Sequence, residues 1–284
     1  MKIDSLQSIN QEKLYEAFDK AFADYGHSWN KQEFFKMLKR RGFNAIASFG
    51  AFDNDELVSF TFNGIGRFKG IRTAYDTETG TLKDYQGKGL ASQIFNYAIP
   101  HLKETGIEYY LLEVLQDNKA ALNVYLKLGF EVTREFYFYK TDRSQIKNDI
   151  KIIDSSYTTC KIALNQLGDI SDFWDFEPSW QNSTESIQRD TANFTYWTVF
   201  HHEAIIGYAA FDASSGDIAQ LAVSKVHRRK GIGSLLLQKL IDSNQLNTLK
   251  VLNVEIGCHP MNAFLKSKGF EPLGKQFEMM KKLE

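Results

Sequence analysis

An internal repeat constrains this chain of 284 residues more than any other feature of its sequence. The glycine-containing segment QGKGLA, Gln86–Ala91, aligns with RRKGIG, Arg228–Gly233, at an offset of 142 residues (228 − 86). A second landmark agrees, because Gly129-Phe130 aligns with Gly269-Phe270 at an offset of 140 (269 − 129). Because the two offsets differ by only two residues, they indicate a tandem duplication, and we expect two similar domains.

The order of elements is the same in both halves. Each contains strand-like runs, the glycine segment, a helix with one apolar face, a strand, a second helix that ends at Gly-Phe, and a last strand. Mixed helices and strands in this order predict an α/β (α+β) sheet in each half. The polar stretch 140–149 separates the predicted domains, residues 1–143 and 144–284. Pro100 is expected to kink or end the first apolar-faced helix.

Composition argues against several classes of partner. Hydrophobic residues make up 43% and charged residues 24% of the chain, which is typical of a globular protein with a substantial core. The formal net charge of −1 offers no basic footprint, so no nucleic-acid partner is expected. No run approaches the ~18 apolar residues of a membrane span, and the N-terminal segment lacks the apolar core of a signal peptide. We therefore expect no membrane association and a cytoplasmic location.

Cysteine and histidine spacing predicts no metal site. The two cysteines, Cys160 and Cys258, have no C-x-x-C spacing and are too few for a disulfide framework. The six histidines form no H-E-x-x-H pattern. His201 and His202 lie between two strand-like runs, and we expect them in a hairpin turn.

The two glycine segments have the form of phosphate-binding turns. Each opens a helix, and the first turn of a helix carries unpaired N–H groups and a partial positive charge. Glycine lets a phosphate approach that backbone because it has no Cβ. Neither segment is a P-loop, since Lys88 and Lys230 are followed by glycine, and neither has the third glycine of a dinucleotide fingerprint. A plain glycine turn is the alternative, but two copies in the same context favour a pyrophosphate cradle.

Both halves resemble the GNAT superfamily of acyl-CoA-dependent N-acetyltransferases. The phosphate motif of that family, [QR]-x-x-G-x-[GA], matches Gln86–Ala91 and Arg228–Gly233 in full. Its later motif, an Asn and then a helix with Tyr just before Gly-Phe, matches Asn118–Phe130 in the first half. The resemblance covers nearly the whole chain. It implies two tandem GNAT domains, each a mixed, largely antiparallel, splayed sheet flanked by helices.

The resemblance also implies where acetyl-CoA would bind. In this family the pantetheine arm lies where the sheet splays open after the fourth strand, and the pyrophosphate lies on the cradle. The residues implied in the first half are Gly80, Thr81, Leu82, Gln86, Gly87, Lys88, Gly89, Leu90, Ala91 and Asn118. Those implied in the second half are Leu221, Ala222, Val223, Arg228, Arg229, Lys230, Gly231, Ile232 and Gly233. No metal is implied.

Direct acyl transfer needs an acid for the leaving thiolate and a base for the amine. Tyr125 stands at the family position of the acid, and a core tyrosine without a catalytic role is the alternative. Glu78 in the fourth strand and Glu113 in the next strand are the candidate bases, acting directly or through water. A salt-bridged or surface role is an equal alternative for each carboxylate.

The second half departs from the catalytic pattern. The aligned pairs are Tyr125 with Leu265, Asn118 with Cys258, and Glu78 with Gln220. Leucine and glutamine cannot serve as acid and base, and a buried free cysteine usually behaves as a small hydrophobe. The first half is therefore predicted to carry the chemistry, whereas the second half retains only the cradle.

We predict an N-acetyltransferase that moves an acetyl group from acetyl-CoA directly to a primary amine of a small molecule or peptide, with its active site in the N-terminal half. The alternatives are a non-catalytic acyl-CoA-binding or sensing protein, and catalysis by the C-terminal half. The second domain is expected to complete the acceptor cleft, so that the two domains mimic a GNAT dimer. Aromatic residues of the first two helices would roof that cleft or form core: Phe18, Phe22, Tyr25, Trp29, Phe34 and Phe35.

Overall fold

The computed structural model of the chain describes residues 1–25, 29–147, 150 and 155–283. The chain forms two compact units, one of Met1–Arg134 with Phe277–Glu284 and one of Glu135–Gln276. Each unit therefore contains most of one sequence repeat together with a short segment of the other.

The units and the repeats differ at the last strand of each repeat. Residues 135–143 belong to the first repeat by sequence but to the second unit by structure, and residues 277–284 show the reverse. The predicted division at 143/144 concerns the repeats and stays a prediction. Next to it, residues 148, 149 and 151–154 lie outside the described residues.

The regular elements follow the predicted order. The strands are β1 (Lys2–Ser5), β2 (Phe49–Asp53), β3 (Glu56–Phe68), β4 (Ile71–Thr81), β5 (Tyr109–Leu115), β6 (Glu131–Asp142), β7 (Tyr157–Ile162), β8 (Thr195–His201), β9 (Ala204–Asp212), β10 (Asp217–Val223), β11 (Thr248–Glu255) and β12 (Pro272–Lys282). The helices are α1 (Gln11–Phe22), α2 (Lys31–Arg41), α3 (Leu90–Glu104), α4 (Lys119–Lys127), α5 (Thr184–Gln188), α6 (Ile232–Ser243) and α7 (His259–Ser267).

Local signals in the sequence explain where α1 and α2 begin and end. The Asn10 side chain accepts a hydrogen bond from the third N–H of α1. Asn30 and Glu33 form a reciprocal capping box at the start of α2, and Gly42, with φ at 80°, ends that helix in the left-handed conformation. The C-terminal residue of α2, Arg41, lies against the sheet, where its Nη1 donates to the Thr77 carbonyl oxygen.

The aromatic residues of α1 and α2 are largely core. Phe18 and Phe34 are buried, and Phe22, Trp29 and Phe35 pack partly buried against the same cluster. The Tyr25 side chain lies outside the described residues.

The sheet of the first unit splays open between β4 and β5. Its strands follow the order β1-β2-β3-β4-β5 with β12 beside β5. The β1–β2, β2–β3 and β3–β4 pairs are antiparallel, whereas β4 and β5 are parallel. The register of β4 with β5 runs only from Thr73↔Tyr109 to Tyr75↔Leu111, so both strands continue beyond their last paired residues. The expected mixed, largely antiparallel, splayed sheet is confirmed.

A β-bulge in β4 changes which faces its side chains occupy. Asn63 pairs with Asp76 and Phe62 pairs with Glu78, which leaves Thr77 as the extra residue. Neighbouring residues of β3 point to opposite faces of the sheet. Asp76 and Glu78 therefore lie on opposite faces, although unbroken alternation would place them on the same face.

Of the two expectations for Pro100, a kink or an end of the helix, the end is wrong. Helix α3 continues past this proline to Glu104, so the proline does not end the helix. Its buried face includes Ile94, Phe95 and Ala98 before the proline and Leu102 after it. Packing on both sides of Pro100 outweighs the one backbone hydrogen bond that a proline removes.

The second unit has the same plan with a reduced helical layer. Its strands follow the order β6-β11-β10-β9-β8-β7, and β8 and β9 form the predicted hairpin around His202. The parallel pair β10 and β11 keeps one registered pair, Asp217↔Lys250, before the strands part. Short 3₁₀ turns and the five-residue α5 stand where the first unit has α1 and α2.

Candidate active site

The first glycine segment forms an open turn in front of α3. Gly87 and Gly89 have φ values of 74° and 72°, which glycine adopts without strain. Gly89 is the N-cap of α3 and provides no side-chain acceptor for the first N–H groups of the helix. A Cβ placed on Gly87 would meet nothing within 4 Å. The turn therefore leaves open space above a helix N-terminus, which is the geometry of an anion cradle.

The second segment repeats this backbone in front of α6. Gly231, with φ at 87°, is the N-cap in place of Gly89, and Arg229 adopts φ of 63° in place of Gly87. A left-handed arginine is uncommon, so the turn geometry is imposed by its surroundings. The cradle is therefore present twice as a backbone conformation.

The first residue of each cradle closes the turn with the same hydrogen bond. Gln86 Nε2 donates to the Thr81 carbonyl oxygen at 3.2 Å, and Arg228 Nε donates to the Val223 carbonyl oxygen at 3.1 Å. Arg228 makes further bonds, with Nη1 on Asp175 Oδ1 at 2.9 Å and Nη2 on the Phe173 carbonyl oxygen at 3.0 Å. The charge of Arg228 is thus partly neutralised within its own unit.

The other residues expected at the cofactor have varied settings. Gly80, Thr81 and Leu82 lie where β4 ends, and a Cβ on Gly80 would come within 2.5 Å of the Phe60 ring. The Lys88 ammonium lies over the Tyr85 ring at 4.7 Å. Asn118 caps α4, because its Oδ1 accepts from the Ala121 N–H at 3.1 Å. The helix cap is therefore a sufficient structural reason for an asparagine at this position.

Tyr125 lies in the first unit with its hydroxyl group on the Asp76 side of the sheet. The hydroxyl donates to Asp76 Oδ2 at 3.3 Å. The rings of Phe95 and Phe130 pack edge-on against it at 5.6 and 5.9 Å between centroids. Burial and the nearby Asp76 charge raise the pKa of Tyr125 well above its usual value, so the residue keeps its proton.

Asp76 is the functional candidate that the sequence did not reveal. It is 7% exposed, and Thr79 Oγ1 donates to its two carboxylate oxygens at 3.0 and 2.9 Å. Burial raises the pKa of Asp76 to about 7, although the Thr79 hydrogen bond acts in the opposite direction. A buried acid within a strand was the available signal, but regular alternation would have placed it away from Thr79.

Glu78 and Glu113 lie around one arginine, Arg41. Arg41 Nη1 is 3.0 Å from Glu78 Oε1 and donates to the Thr77 carbonyl oxygen at 2.8 Å. Burial lowers the pKa of Arg41, but the charges of Tyr75, Glu78 and Glu113 outweigh that effect and raise it. For Tyr75, burial and the charge of Glu113 both raise the pKa, which lies well above its usual value. The structure thus brings both predicted carboxylates together where β4 and β5 part.

The corresponding region of the second unit is bridged by hydrogen bonds. Gln220, which aligns with Glu78, accepts from the Tyr208 hydroxyl at 2.9 Å and donates to the Asn182 carbonyl oxygen at 2.6 Å. Asn182 Nδ2 in turn donates to the Leu252 carbonyl oxygen at 2.9 Å. Because Gln220 is on β10 and Leu252 on β11, Asn182 connects the two strands beyond the point where they part.

The counterparts of the acid and of the α4 cap are buried in the second unit. Leu265, in the position of Tyr125, is 3% exposed and belongs to the core. Cys258 is a buried free thiol at the N-cap of α7, and burial raises its pKa. A thiol with a raised pKa is a poor nucleophile at neutral pH.

Two further properties concern the described residues as a whole. They contain no group of three or more His, Cys, Asp or Glu side chains arranged to hold a metal ion. None of the helices in the same ranges is long and apolar enough to cross a membrane.

Comparison with known families finds the acetyltransferase (GNAT) family over residues 11–130 and 164–270. N-alpha-acetyltransferase MAK3 of Arabidopsis thaliana is 32% identical over 91 residues, which is 32% of this chain and 48% of that protein. N-alpha-acetyltransferase 30 of Schizosaccharomyces pombe is 30% identical over 94 residues, which is 32% of this chain and 62% of that protein. The chain thus spans less than two thirds of the length of these relatives.

A solved structure is similar over the entire chain. It is a tandem GNAT protein from the clavulanic acid biosynthesis pathway, with a TM-score of 0.74 and 13% identity, and the match covers 100% of this chain and 98% of that chain. At this identity the likeness shows the fold alone.

Proposed function

The chain belongs to the acetyltransferase (GNAT) family, and from this premise we propose that it transfers an acetyl group from acetyl-CoA to a primary amine in its first unit. The proposal rests on one observation, the hydrogen bond that the Tyr125 hydroxyl group donates to Asp76 near the point where β4 and β5 separate. In the second unit a leucine takes that position.

The cradle before α3 suits the pyrophosphate of acetyl-CoA. The N–H groups of Gly87 to Ala91 would hold it, because they lie at a helix N-terminus with open space above the glycines. Lys88 would add charge-assisted contacts. The bound cofactor supplies the acetyl group as an activated thioester. The ends of β4 and β5 would hold the pantetheine arm with backbone groups from Gly80 to Leu82.

We assign the acid to Tyr125 and the base to Glu113. Tyr125 keeps its proton at neutral pH and so can donate it to a departing thiolate. Glu113 lies on β5 beyond Leu111, the last residue that pairs with β4, and so borders the parted strands. Arg41 pairs with Glu78 at 3.0 Å, and we assign Glu78 a positioning role beside the amine. Arg41 would then also orient the carboxylates around the amine.

The second unit has the opposite features. Leu265 cannot donate a proton, and Asn182 connects the strands at the position where an acyl group would enter. Arg228 is already bonded to Asp175. We propose that this unit does not catalyse the transfer.

The acceptor is proposed as a peptide N-terminus or a small primary amine, since two relatives are named N-alpha-acetyltransferases. Full-length protein would be mixed with acetyl-CoA and with short peptides or amines, and the released thiol would be measured. Each acceptor has a matched control in its N-acetylated form, which offers no free amine. We expect thiol release with the free amine and none with the blocked one.

The base assignment has its own matched pair of variants. Glu113→Gln should lower kcat by about 10²-fold or more, whereas Glu78→Gln should lower it less. If Glu78→Gln lowers kcat more than Glu113→Gln does, Glu78 is the base instead. Binding of acetyl-CoA without turnover on any acceptor would favour a non-catalytic acyl-CoA-binding protein.

A further inference from the structure

Asp76 lies directly behind the Tyr125 hydroxyl group and has no role in the usual acid–base pair. We propose that Asp76 is a positioning residue that hands a proton to Tyr125, so that the two side chains relay a proton to the leaving thiolate. This inference rests on the proposed function. It adds a third group, Thr79, which holds the Asp76 carboxyl in place.

The contacts of Asp76 place its carboxyl group next to the Tyr125 hydroxyl group. Its Oδ2 accepts from both Thr79 and the Tyr125 hydroxyl, at 2.9 and 3.3 Å. Tyr125 is 8% exposed and Asp76 is 7% exposed, so bulk water has little access to either. A tyrosine that has given up its proton in such a setting regains it most directly from the side chain that it already contacts.

The protonation state of Asp76 determines whether Tyr125 can act. When Asp76 is ionised, it accepts the Tyr125 proton in a hydrogen bond, and its negative charge makes the phenol a weaker acid. When Asp76 is protonated, its O–H can donate to the Tyr125 oxygen, and the phenolic proton is then available to the thiolate. The protonated form is therefore the active one.

Each proton that moves in the acyl-transfer step has a donor and an acceptor. The bond between the acetyl carbon and sulfur breaks, the electron pair stays on sulfur, and Tyr125 protonates that sulfur. Asp76 returns a proton to the Tyr125 oxygen and becomes a carboxylate. The amine loses one proton to the base as the amide bond forms. Between turnovers the base releases that proton to solvent, and Asp76 regains a proton from solvent through its small exposed surface.

Several titratable groups on the surrounding elements interact electrostatically with Asp76, on either face of the sheet: Tyr75 and Glu78 on β4, Tyr110 on β5, Tyr125 on α4 and Arg41 on α2. Burial is the largest influence on Asp76 and favours its neutral form, and Glu78 adds to it. Thr79, Tyr125 and Arg41 act in the opposite direction. The balance leaves a pKa of about 7, so Asp76 can both hold and release a proton near neutrality.

The second unit lacks both members of the pair. Asp76 aligns with Ile218 at the offset of the cradles (76 + 142), and Tyr125 aligns with Leu265. Ile218 and Leu265 are both buried in one core cluster. In the second unit, apolar side chains thus occupy both of the positions that hold the proposed acid and the proposed proton donor in the first unit.

The test is the pH profile of kcat for full-length protein with acetyl-CoA and an accepted amine. In the wild type, kcat should fall by up to about tenfold per pH unit as the pH rises through the pKa of Asp76. Asp76→Asn should lower kcat at pH 6 and remove this fall, because asparagine has no proton to lose. A fall that persists at the same pH in Asp76→Asn would overturn the relay.

A second variant covers the case in which Asp76→Asn does not fold. Thr79→Val removes the donor that favours the ionised carboxyl, so the fall in kcat should move to higher pH. An unmoved fall would contradict the relay, since a purely structural Thr79 would change kcat without moving the profile. In the Tyr125→Phe background, Asp76→Asn should have almost no additional effect, because Asp76 acts through Tyr125.

The outcomes separate this inference from the function on which it rests. A wild-type protein without turnover at any pH would refute the proposed function, and the relay with it. Two outcomes in an active protein would refute the relay alone. In one, the effects of Asp76→Asn and Tyr125→Phe on kcat are additive. In the other, the pH profile of kcat is unmoved in Thr79→Val.

Discussion

Two buried tyrosines beside α3 differ in what their hydroxyl groups contact. The Tyr125 hydroxyl donates to a carboxylate, Asp76, whereas the Tyr110 hydroxyl donates to the neutral Asn63 at 2.7 Å. Both rings pack near Phe95 and Phe130. Packing alone therefore does not distinguish the proposed acid from a structural tyrosine, and the partner of the hydroxyl group does.

Tyr125→Phe should reduce kcat by about 10²-fold or more with little change in acetyl-CoA affinity, because it removes only the proton donor. Steady-state kinetics and calorimetric titration of acetyl-CoA would measure the two quantities. Tyr110→Phe is the matched control, since it removes a buried hydroxyl of the same unit. Full kcat in Tyr125→Phe would mean that water protonates the thiolate.

Asp76 should make stability depend on pH. Its pKa is raised from 3.8 in the unfolded chain to about 7 in the folded protein, so the folded state binds the proton more tightly. The free energy of unfolding should then fall as the pH rises from about 4 to about 7, by at most about 1.4 kcal/mol per pH unit, and level off above that range.

Asp76→Asn removes this dependence, so its stability relative to the wild type should increase from pH 5 to pH 7. Urea unfolding of both proteins at each pH would measure the difference. The exposed Asp55→Asn serves as the control, and a wild-type to Asp76→Asn difference that is constant with pH would show that Asp76 does not titrate in this range.

At the scale of elements, the two cradles share a backbone but differ in what surrounds it. The turn before α3 leaves open space, and the turn before α6 has Arg228 bonded to Asp175 and Arg229 in a left-handed conformation. By charge alone the second cradle is the stronger phosphate site. Once its internal ion pair is counted, this advantage is reduced.

Gly89→Glu should abolish acetyl-CoA binding to the first unit and hence turnover, because a carboxylate would face the pyrophosphate. Gly231→Glu should leave kcat nearly unchanged if only the first unit catalyses. Turnover by the full-length variants would measure both effects.

Gly70→Glu is the control for backbone strain, since Gly70 also has a positive φ, 79°, and open space, but lies in the turn between β3 and β4. Loss of turnover in Gly231→Glu with normal turnover in Gly89→Glu would place the active site in the second unit.

At the scale of the whole molecule, the end of the chain belongs to the first unit. Met279 is fully buried and Leu283 is 8% exposed in the same core as Phe60 and Phe95. Glu278 pairs with Arg134 at 2.6 Å, and the Leu283 N–H donates to the Glu108 carbonyl oxygen. The unit that carries the candidate site is thus completed by residues far away in sequence.

Removal of residues 277–284 should destabilise the first unit, by several kcal/mol for the buried Met279 and Leu283 side chains alone. Hydrogen exchange should show loss of protection in β3–β5 and retention of protection in the β8–β9 hairpin. Removal of Glu284 alone is the control. Loss of protection confined to the second unit would contradict the assignment of these residues.

Much of the fold was predictable because its signals are local. Caps such as Asn30 with Glu33, and the left-handed turns at Gly87 and Gly89, depend on residues a few positions apart, which interact in the same way in any surrounding fold. The duplication, the order of elements and the location of Tyr125 before Gly-Phe follow from such signals. The family resemblance added the splayed sheet, which the register of β4 and β5 confirms.

Only the tertiary structure decided which side chains meet. Asp76 reaches Tyr125, 49 residues away, because a bulge at Thr77 shifts the register of β4, and no local pattern encodes that shift. The Arg41–Glu78 pair and the place of residues 277–284 likewise depend on elements that are distant in sequence. The sequence by itself determined the repeat, the cradles and the candidate acid, since these need only neighbouring residues. The proton donor behind that acid depends on strand register, which is set by packing of the whole unit.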